Sequence, residues 1–352
     1  MSRGRVLWLS PWMRPLARVY VESLRALDFD VVLVTSNNHP ESDAARDYEW
    51  VLNPRPHHLE TWRPYFAALR RARKFHPDVV ITEIVLDPRW IAFAGLAPRV
   101  NLVHDDRPHD ASEERPLWDR AVFDTWNARA KRTVSFSSYV ADAVGADAVV
   151  PLTSDLDPHR VPPFVPAADR HDFVLVGRLN EYKNLDVIFR AWQRHVSGPG
   201  WQGDDLVLIG DGTMPIEPGE HVRWIKGKYS YDDVIAPMSA AKGSLVHYRV
   251  ATQSGVQVLA MQLGVAPIVS DQGALPEFQP AGEPALPVDD VDALTRVFDE
   301  LADPEEAARR GAIAEKEFQR RFAVDVAGPV LGRVLDGVIA EYPGNRLFGR
   351  RS

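Results

Sequence analysis

DFVLVGRLNEYK, running from Asp172 to Lys183, is the stretch whose reading decides the fold. Phe173 to Val176 is a short apolar run closed by Gly177, and a helical pattern begins near Asn184, so the order is strand, turn, helix. Arg178 and Lys183 then sit at the C-terminal edge of a parallel sheet. Open α/β sheets bind ligands at that edge, and the start of the following helix offers free backbone N–H groups to an anion. A diphosphate suits such a place. The plainer alternative is a pair of solvated surface charges, the ordinary condition of Arg and Lys.

Working outward, the same alternation continues. After Leu185 to His195 (helix) come strands Leu206 to Ile209 and Val222 to Ile225, helix Tyr231 to Ala241, strand Ser244 to Tyr248, helix Gly255 to Leu263 and strand Ala266 to Ser270. From Val291 the chain is helical, in segments ending near Leu301, Ala323 and Tyr342. Toward the N-terminus, Arg5 to Ser10, Asp30 to Thr35, Val79 to Ile84, Val100 to His104 and Val134 to Ser137 read as strands. Helical patterns Leu16 to Leu27, Leu59 to Phe75, Trp90 to Leu96 and Tyr139 to Val144 lie between them, with a polar helix-compatible segment from Ser112 to Ala130. Strands alternating with helices specify an α/β class with doubly wound sheets. At 352 residues the chain exceeds the size at which one core stops growing. The proline-rich run Pro151 to Pro166 reads as an extended connector. Two α/β domains are therefore expected, 1–160 and 161–326, with 327–352 a terminal helix packing back on the first.

The composition is that of a soluble globular protein, 45% hydrophobic and 26% charged. A net charge of -8 argues against nucleic acid as a partner. Absence of cysteine excludes a disulfide framework and thiolate metal sites and is compatible with a cytoplasmic location. No secretory signal and no apolar stretch of membrane-spanning length is present. His57 and His58 are adjacent, not at metal-binding spacing.

Four loops on one edge of the second half carry groups suited to a phosphate-bearing ligand. They are GRLNEYK with Gly177, Arg178 and Lys183, IGDG with Gly210, Asp211 and Gly212, KGKYS with Gly227 and Lys228, and SDQGALPE with Gly273 and Glu277. Glycines let a backbone approach a ligand and cations neutralise phosphates. Each loop alone is ordinary turn chemistry; their recurrence on one edge is the signal.

In this order the motifs resemble the nucleotide-sugar glycosyltransferases of the GT-B architecture, in particular the retaining family 4. The resemblance runs continuously from Val174 to Phe278 and more loosely through the first half. It rests on Gly177, Arg178, Leu179, Lys183 and Asn184; on Ile209, Gly210, Asp211 and Gly212; on Met261 and Gly264; and on Gly273, Pro276 and Glu277. It implies two Rossmann-like domains facing across a cleft, the first binding an acceptor and the second a nucleotide-diphosphate sugar. It also implies transfer with retention and no cofactor or required metal, Arg178 and Lys183 holding the leaving diphosphate. His104, ending a strand, matches a histidine that members place near the reacting centre. It could orient a sugar, and a structural histidine is the plainer reading. Asp105 and Asp106 beside it could bind acceptor amines or hydroxyls, or cap the next segment.

The match has a gap. The family usually carries two glutamates eight positions apart, on the donor sugar and the ribose; those positions fall here on Ala251 and Leu259. The intervening loop, ATQSG, leaves Thr252, Gln253 and Ser254 as neutral hydrogen-bonding groups, and Gln257 or Glu277 are the remaining candidates for the nucleotide sugar. His247, Tyr248 and Arg249 read as a wall of the same site. Trp12 and Arg14, on the first loop, read as a packed aromatic and a surface charge or as site residues. Basic clusters at Arg70, Arg71, Arg73 and Lys74 and at Arg346, Arg350 and Arg351 offer contact to anionic lipid at the inner face of a membrane, or are solvated faces. The expected activity is transfer of a glycosyl group to a hydroxyl or amine of a small-molecule, glycan or lipid-linked acceptor. The competing classes are a nucleotide-binding relative without turnover and, behind it, a nucleotide-sugar epimerase, for which no carboxylate acid/base pair is evident.

Overall fold

The computed structural model describes residues 2–106, 117–213 and 219–343, with side chains described throughout except in 117–121. Thirteen strands are β1 (Gly4–Ser10), β2 (Phe29–Thr35), β3 (Glu49–Val51), β4 (Val79–Glu83), β5 (Arg99–Val103), β6 (Arg132–Ser135), β7 (Ala148–Val149), β8 (Phe173–Val176), β9 (Leu206–Gly210), β10 (Val222–Lys226), β11 (Gly243–Val246), β12 (Pro267–Ser270) and β13 (Ala285–Leu286). The helices are α1 (Arg14–Ala26), α2 (Trp62–Phe75), α3 (Ile91–Ala94), α4 (Leu117–Asn127), α5 (Ser138–Val144), α6 (Leu185–Val196), α7 (Tyr231–Ser239), α8 (Gly255–Gln262), α9 (Leu275–Phe278), α10 (Val291–Leu301), α11 (Pro304–Arg321) and α12 (Val324–Glu341).

The chain forms two compact units. One contains the described residues up to 106, 117–151 and 324–343; the other contains 152–213 and 219–323. The first holds a parallel sheet in the order β3-β2-β1-β4-β5-β6-β7. Its central strands are apolar on both faces because helices cover both, as a parallel sheet requires. Leu7, Leu9, Val34, Val80, Trp90 and Phe93 make one core layer. On α12, a Cβ at Gly328 would fall 1.9 Å from Ser23 Oγ of α1, so the bare glycine sets how closely these two helices approach.

The second unit repeats the plan in a parallel sheet ordered β10-β9-β8-β11-β12-β13. Its two faces bury Phe173, Leu175, Ile188, Trp192 and Phe298 on one side and Val174, Val176, Ile209, Val234 and Leu259 on the other. In each sheet the strand order reverses once, between β1 and β4 in the first and between β8 and β11 in the second. That reversal opens the crevice at the C-terminal strand ends where such sheets bind ligands.

Most expected elements are present within a residue or two. The segment from Leu59 opens as a single 3₁₀ turn, Leu59–Thr61, before α2 begins. Strands β3, β7 and β13, of two or three residues, are too short to register as periodicity. The proline-rich connector is packed rather than loose: Leu156 is buried in the core of the second unit, and its carbonyl accepts from Gln262 Nε2 at 3.3 Å.

Candidate functional site

The apolar strand β8 ends at Gly177, whose φ of +120° turns the chain sharply across the sheet edge. Leu179 dives back into the core, and a 3₁₀ turn, Glu181–Lys183, delivers the chain to Asn184. Asn184 takes the left-handed conformation, tolerated by asparagine, and starts α6. Its amide donates to Val288 O at 2.7 Å and lies 3.0 Å from His247 Nδ1, which fixes the loop to the chain after β11.

This local path separates the two cations. Arg178 is exposed, whereas Lys183 is only 3% exposed. Lys183 Nζ donates to Tyr248 Oη at 2.6 Å and to Val176 O at 3.3 Å, and it sits 3.9 Å from the centroid of the Tyr248 ring. Burial, with the nearby Arg178 charge acting in the same sense, brings the Lys183 ammonium down to about 8. Tyr182 opposes that shift, its ring centroid 5.3 Å from Nζ. Burial also pushes the Tyr248 hydroxyl up. Through these two bonds Lys183, on the turn after β8, joins the last residue of β8 to Tyr248, two residues beyond β11, at the reversal of strand order.

Glycines of the neighbouring loop have a structural cause. A Cβ on Gly210 would lie 2.1 Å from Gly177 O, and one on Gly212 would lie 2.3 Å from Leu179 O. The β8 and β9 loops pair through Leu179 N–H to Asp211 O at 2.8 Å and Thr213 N–H to Leu179 O at 3.2 Å. Both glycines are thus required by loop packing before any ligand is considered. Around Gly227 a Cβ would meet nothing, and Lys228 beside it is exposed. Tyr229 closes the wall between these loops: its ring lies 3.4 Å from where a Gly210 Cβ would stand.

The ATQSG loop begins with Ala251, buried against the glycine loop, since a Cβ on Gly273 would fall 1.8 Å from Ala251 O. Ser254 caps α8, accepting from Gln257 N–H at 3.4 Å. Gln253 Oε1 is buried without a hydrogen-bond partner among the described residues. Gln257 is fully buried and gives its amide to Leu275 O at 3.0 Å and to Gln279 Oε1 at 3.3 Å, tying α8 to α9. Leu259, at the other expected carboxylate position, belongs to the apolar core. Glu277 is half-buried on α9. Arg249 pairs with Asp186 of α6 at 2.7 Å. His247 is fully buried, and burial carries its imidazole down to about 4, against smaller effects of the Pro287 carbonyl and acidic neighbours that raise it.

In the first unit the edge at the β1/β4 reversal carries a group the sequence reading passed over. Glu83, the last residue of β4, is fully buried between Trp8 Nε1, which donates to it at 3.1 Å, and His104 Nε2 at 2.6 Å. An acidic residue closing the run VVITE was the available signal. The Phe136 ring lies 4.8 Å from the His104 ring. Trp12 and Arg14 reverse the simpler expectation: Trp12 is 38% exposed, and Arg14 is buried, bonded to Glu49 at 2.7 Å. Arg18 binds the same carboxylate at 2.6 Å. Buried Glu49 would have a raised pKa on its own, but the two guanidiniums hold it at about 2. Among the remaining basic candidates, Arg70, Arg71, Arg73 and Lys74 are exposed on α2, and Arg346, Arg350 and Arg351 lie outside the described residues. His57 and His58 are exposed, His58 meeting Glu60 at 3.0 Å. No described helix is long and apolar enough to cross a membrane.

Residues 170–303, the strands and loops just described, match the model of the family described as glycosyl transferases group 1. No curated protein matches the chain in sequence. Solved structures share its whole fold. A sucrose-phosphate synthase from Thermosynechococcus elongatus superposes with a TM-score of 0.71 at 16% identity, covering 96% of this chain and 100% of that one. Anabaena HepE in complex with UDP and glucose gives 0.65 at 13% identity, covering 95% and 100%. A UDP-forming trehalose-phosphate synthase from Burkholderia vietnamiensis gives 0.66 at 12% identity, covering 95% and 100%. The fold is GT-B, with two Rossmann-like units, and the resemblance read from the loops is to the group 1 glycosyltransferases.

Proposed function

We propose that this protein is a glycosyltransferase that takes a sugar from a nucleoside-diphosphate sugar and transfers it to a hydroxyl or amine of an acceptor, with retention at the anomeric carbon. The observation that carries the reading is the position of Lys183. A lysine stripped of water beside Tyr248, with exposed Arg178 on the same loop and no carboxylate among its interactions with the described residues, is poised to meet a diphosphate at the ligand-binding edge of the sheet. As the bond from the sugar to the diphosphate breaks, negative charge grows on the phosphate oxygens, and these two cations stabilise it without a metal. The exposed Lys228 and the open backbone at Gly227 supply further contacts, while Gln253, with its unpartnered Oε1, takes the place of a carboxylate toward the donor sugar. Ser254, which caps α8, and half-buried Glu277 are further candidates for contact with the donor, and Gln257 acts by fixing α8 to α9. In the first unit, His104 is our candidate for contact with the acceptor.

HepE was solved with UDP and glucose, so uridine diphosphate sugars are the first donors to test. The experiment is a thermal-shift screen of nucleoside diphosphates and their sugars, followed by a transfer assay with the selected donor. Selective stabilisation with turnover supports the reading. Binding without transfer or hydrolysis across a broad acceptor panel favours a nucleotide-binding relative without turnover.

We also propose that α2 is where the protein meets an anionic membrane surface. Leu59 and Phe66 are 83% and 56% exposed, and Arg63, Arg70 and Lys74 share the solvent face with Phe66 in a chain whose net charge is -8. Exposed apolar side chains set among cations fit a lipid interface better than a merely solvated helix face.

A further inference from the structure

We propose that Glu83 is a positioning residue for His104, holding its Nε2–H so that the opposite ring nitrogen is presented as a fixed, charged donor to a substrate oxygen rather than as a base. The inference rests on the transferase reading only for the identity of that substrate; the arrangement itself stands on the first unit alone.

Glu83 has no access to solvent, and its partners are the indole N–H of Trp8 and the ring of His104. A buried carboxylate with one neutral donor is strongly disfavoured unless a cation compensates it. Among the described residues, the group in reach that can become one is the imidazole at 2.6 Å. Trp8 comes from β1, Glu83 from β4, and His104 directly follows β5, so the three span the strands at the reversal of strand order. The remaining neighbours leave the pair undisturbed. Phe136 flanks the ring, and Tyr20 of α1 packs on both Trp8 and Phe136 with its hydroxyl spent on Pro151 O. Asp105, the next residue, is the other titratable group acting on the ring, and its charge favours the protonated form. Burial alone would lower the His104 pKa, but the Glu83 hydrogen bond and charge, with Asp105, outweigh it and leave it raised. Nδ1 has no hydrogen-bond partner among the described residues.

The backbone supports the same view. Ile84, immediately after Glu83, has φ of +47°, an outlier for a β-branched residue. Such strain persists where the surroundings hold a group in place.

The test is an NMR titration of the histidine rings of the full chain, with His104 assigned by its loss in His104→Gln. In the wild-type protein the ring should titrate above the ordinary imidazole value of about 6.5. In Glu83→Gln, which keeps the shape and an acceptor for Trp8, its proton affinity should fall at least about tenfold, one pH unit. A wild-type ring titrating at or below the ordinary value, or a variant titration that does not move, overturns the inference. If Glu83→Gln does not fold, the wild-type titration still decides. Neither reading needs a donor or acceptor, so a protein without transferase activity leaves this test intact. With an active donor, the alkaline limb of kcat/KM should move to lower pH in Glu83→Gln, a displacement that a purely structural loss would not produce.

Discussion

The ammonium of Lys183 donates to the hydroxyl of Tyr248 across 2.6 Å, and this one contact bridges the turn after β8 and the chain two residues beyond β11, where the second sheet reverses its strand order. If the diphosphate of a donor binds there, removing either nearby cation should weaken it selectively. Each charge-assisted hydrogen bond is worth about 1.5–3 kcal/mol. Lys183→Ala and Arg178→Ala should therefore each bind a nucleoside diphosphate roughly ten- to hundredfold more weakly by calorimetry, with unchanged far-ultraviolet circular dichroism. Unaltered affinity in both variants would remove the basis for the donor assignment.

Donor binding should also lose strength in mildly alkaline solution. The free protein holds the Lys183 ammonium at about 8, below its ordinary 10.5, chiefly through burial. A diphosphate needs the charged form, so affinity should be flat below pH 8 and fall by up to about tenfold per unit above it. For stability the direction is opposite, because the buried charge is unfavourable: its penalty is relieved between about pH 8 and 10.5. Removing the hydroxyl that accepts from the ammonium, in Tyr248→Phe, should bring the fall in affinity to lower pH. Isothermal titration at a series of pH values reads both effects.

The repeated strand-and-helix pattern was legible because apolar runs of four or more residues, closed by glycine, leave few alternatives to a parallel sheet. GRLNEYK pointed to its C-terminal edge, where the structure puts Arg178 and Lys183 after β8. What the sequence could not tell was which cation is buried, since Arg178 and Lys183 are equivalent as letters and differ only in how the turn after Gly177 is drawn in. Glu83 and Tyr248 were missed as interacting groups for a related reason. Each meets its partner across strands far apart in the chain, and no local spacing records a contact between residues 83 and 104 or 183 and 248. Arg14 was misjudged because its burial depends on Glu49, which lies on the three-residue strand β3.

The glycines of the IGDG loop separate packing from ligand access. Gly210→Ala places a Cβ against Gly177 O, 2.1 Å away, at a φ of +146°. Gly227→Ala meets open space, so only its backbone conformation is strained. Backbone strain alone costs about 1–3 kcal/mol. Gly210→Ala should exceed that and lower the Tm well below that of Gly227→Ala, as differential scanning fluorimetry would measure. Equal losses would mean that the β8 and β9 loops are less tightly joined than their hydrogen bonds imply.

For the exposed face of α2, the expected behaviour is sedimentation with vesicles containing phosphatidylglycerol and little with phosphatidylcholine alone. Each cation near an anionic surface contributes about 1 kcal/mol. Reversing Arg70 to Glu should weaken vesicle binding at least about tenfold, and Phe66→Ser should weaken it further while leaving nucleotide affinity unchanged. Binding that ignores lipid charge would count against a membrane role for this helix.

Glu49 offers the clearest stability test in the first unit, because two buried guanidiniums share its carboxylate, with Arg18 also reaching the exposed Asp43. Glu49→Gln keeps the volume but leaves Arg14 and Arg18 short of negative charge in the interior. Breaking a buried pair in this way costs about 3–5 kcal/mol. For a unit of this size that corresponds to a Tm lower by roughly 10 °C. The same pair should appear in the pH dependence. The carboxylate titrates at about 2 in the folded protein against an ordinary 4.5, so its contribution is complete above about pH 4.5 and is lost as pH falls toward 2. Unfolding followed between pH 6 and 2 should therefore show an acid loss in the wild-type protein that is reduced in Glu49→Gln, where the titrating group is gone. An identical acid limb in both proteins would place the acid sensitivity elsewhere in the chain.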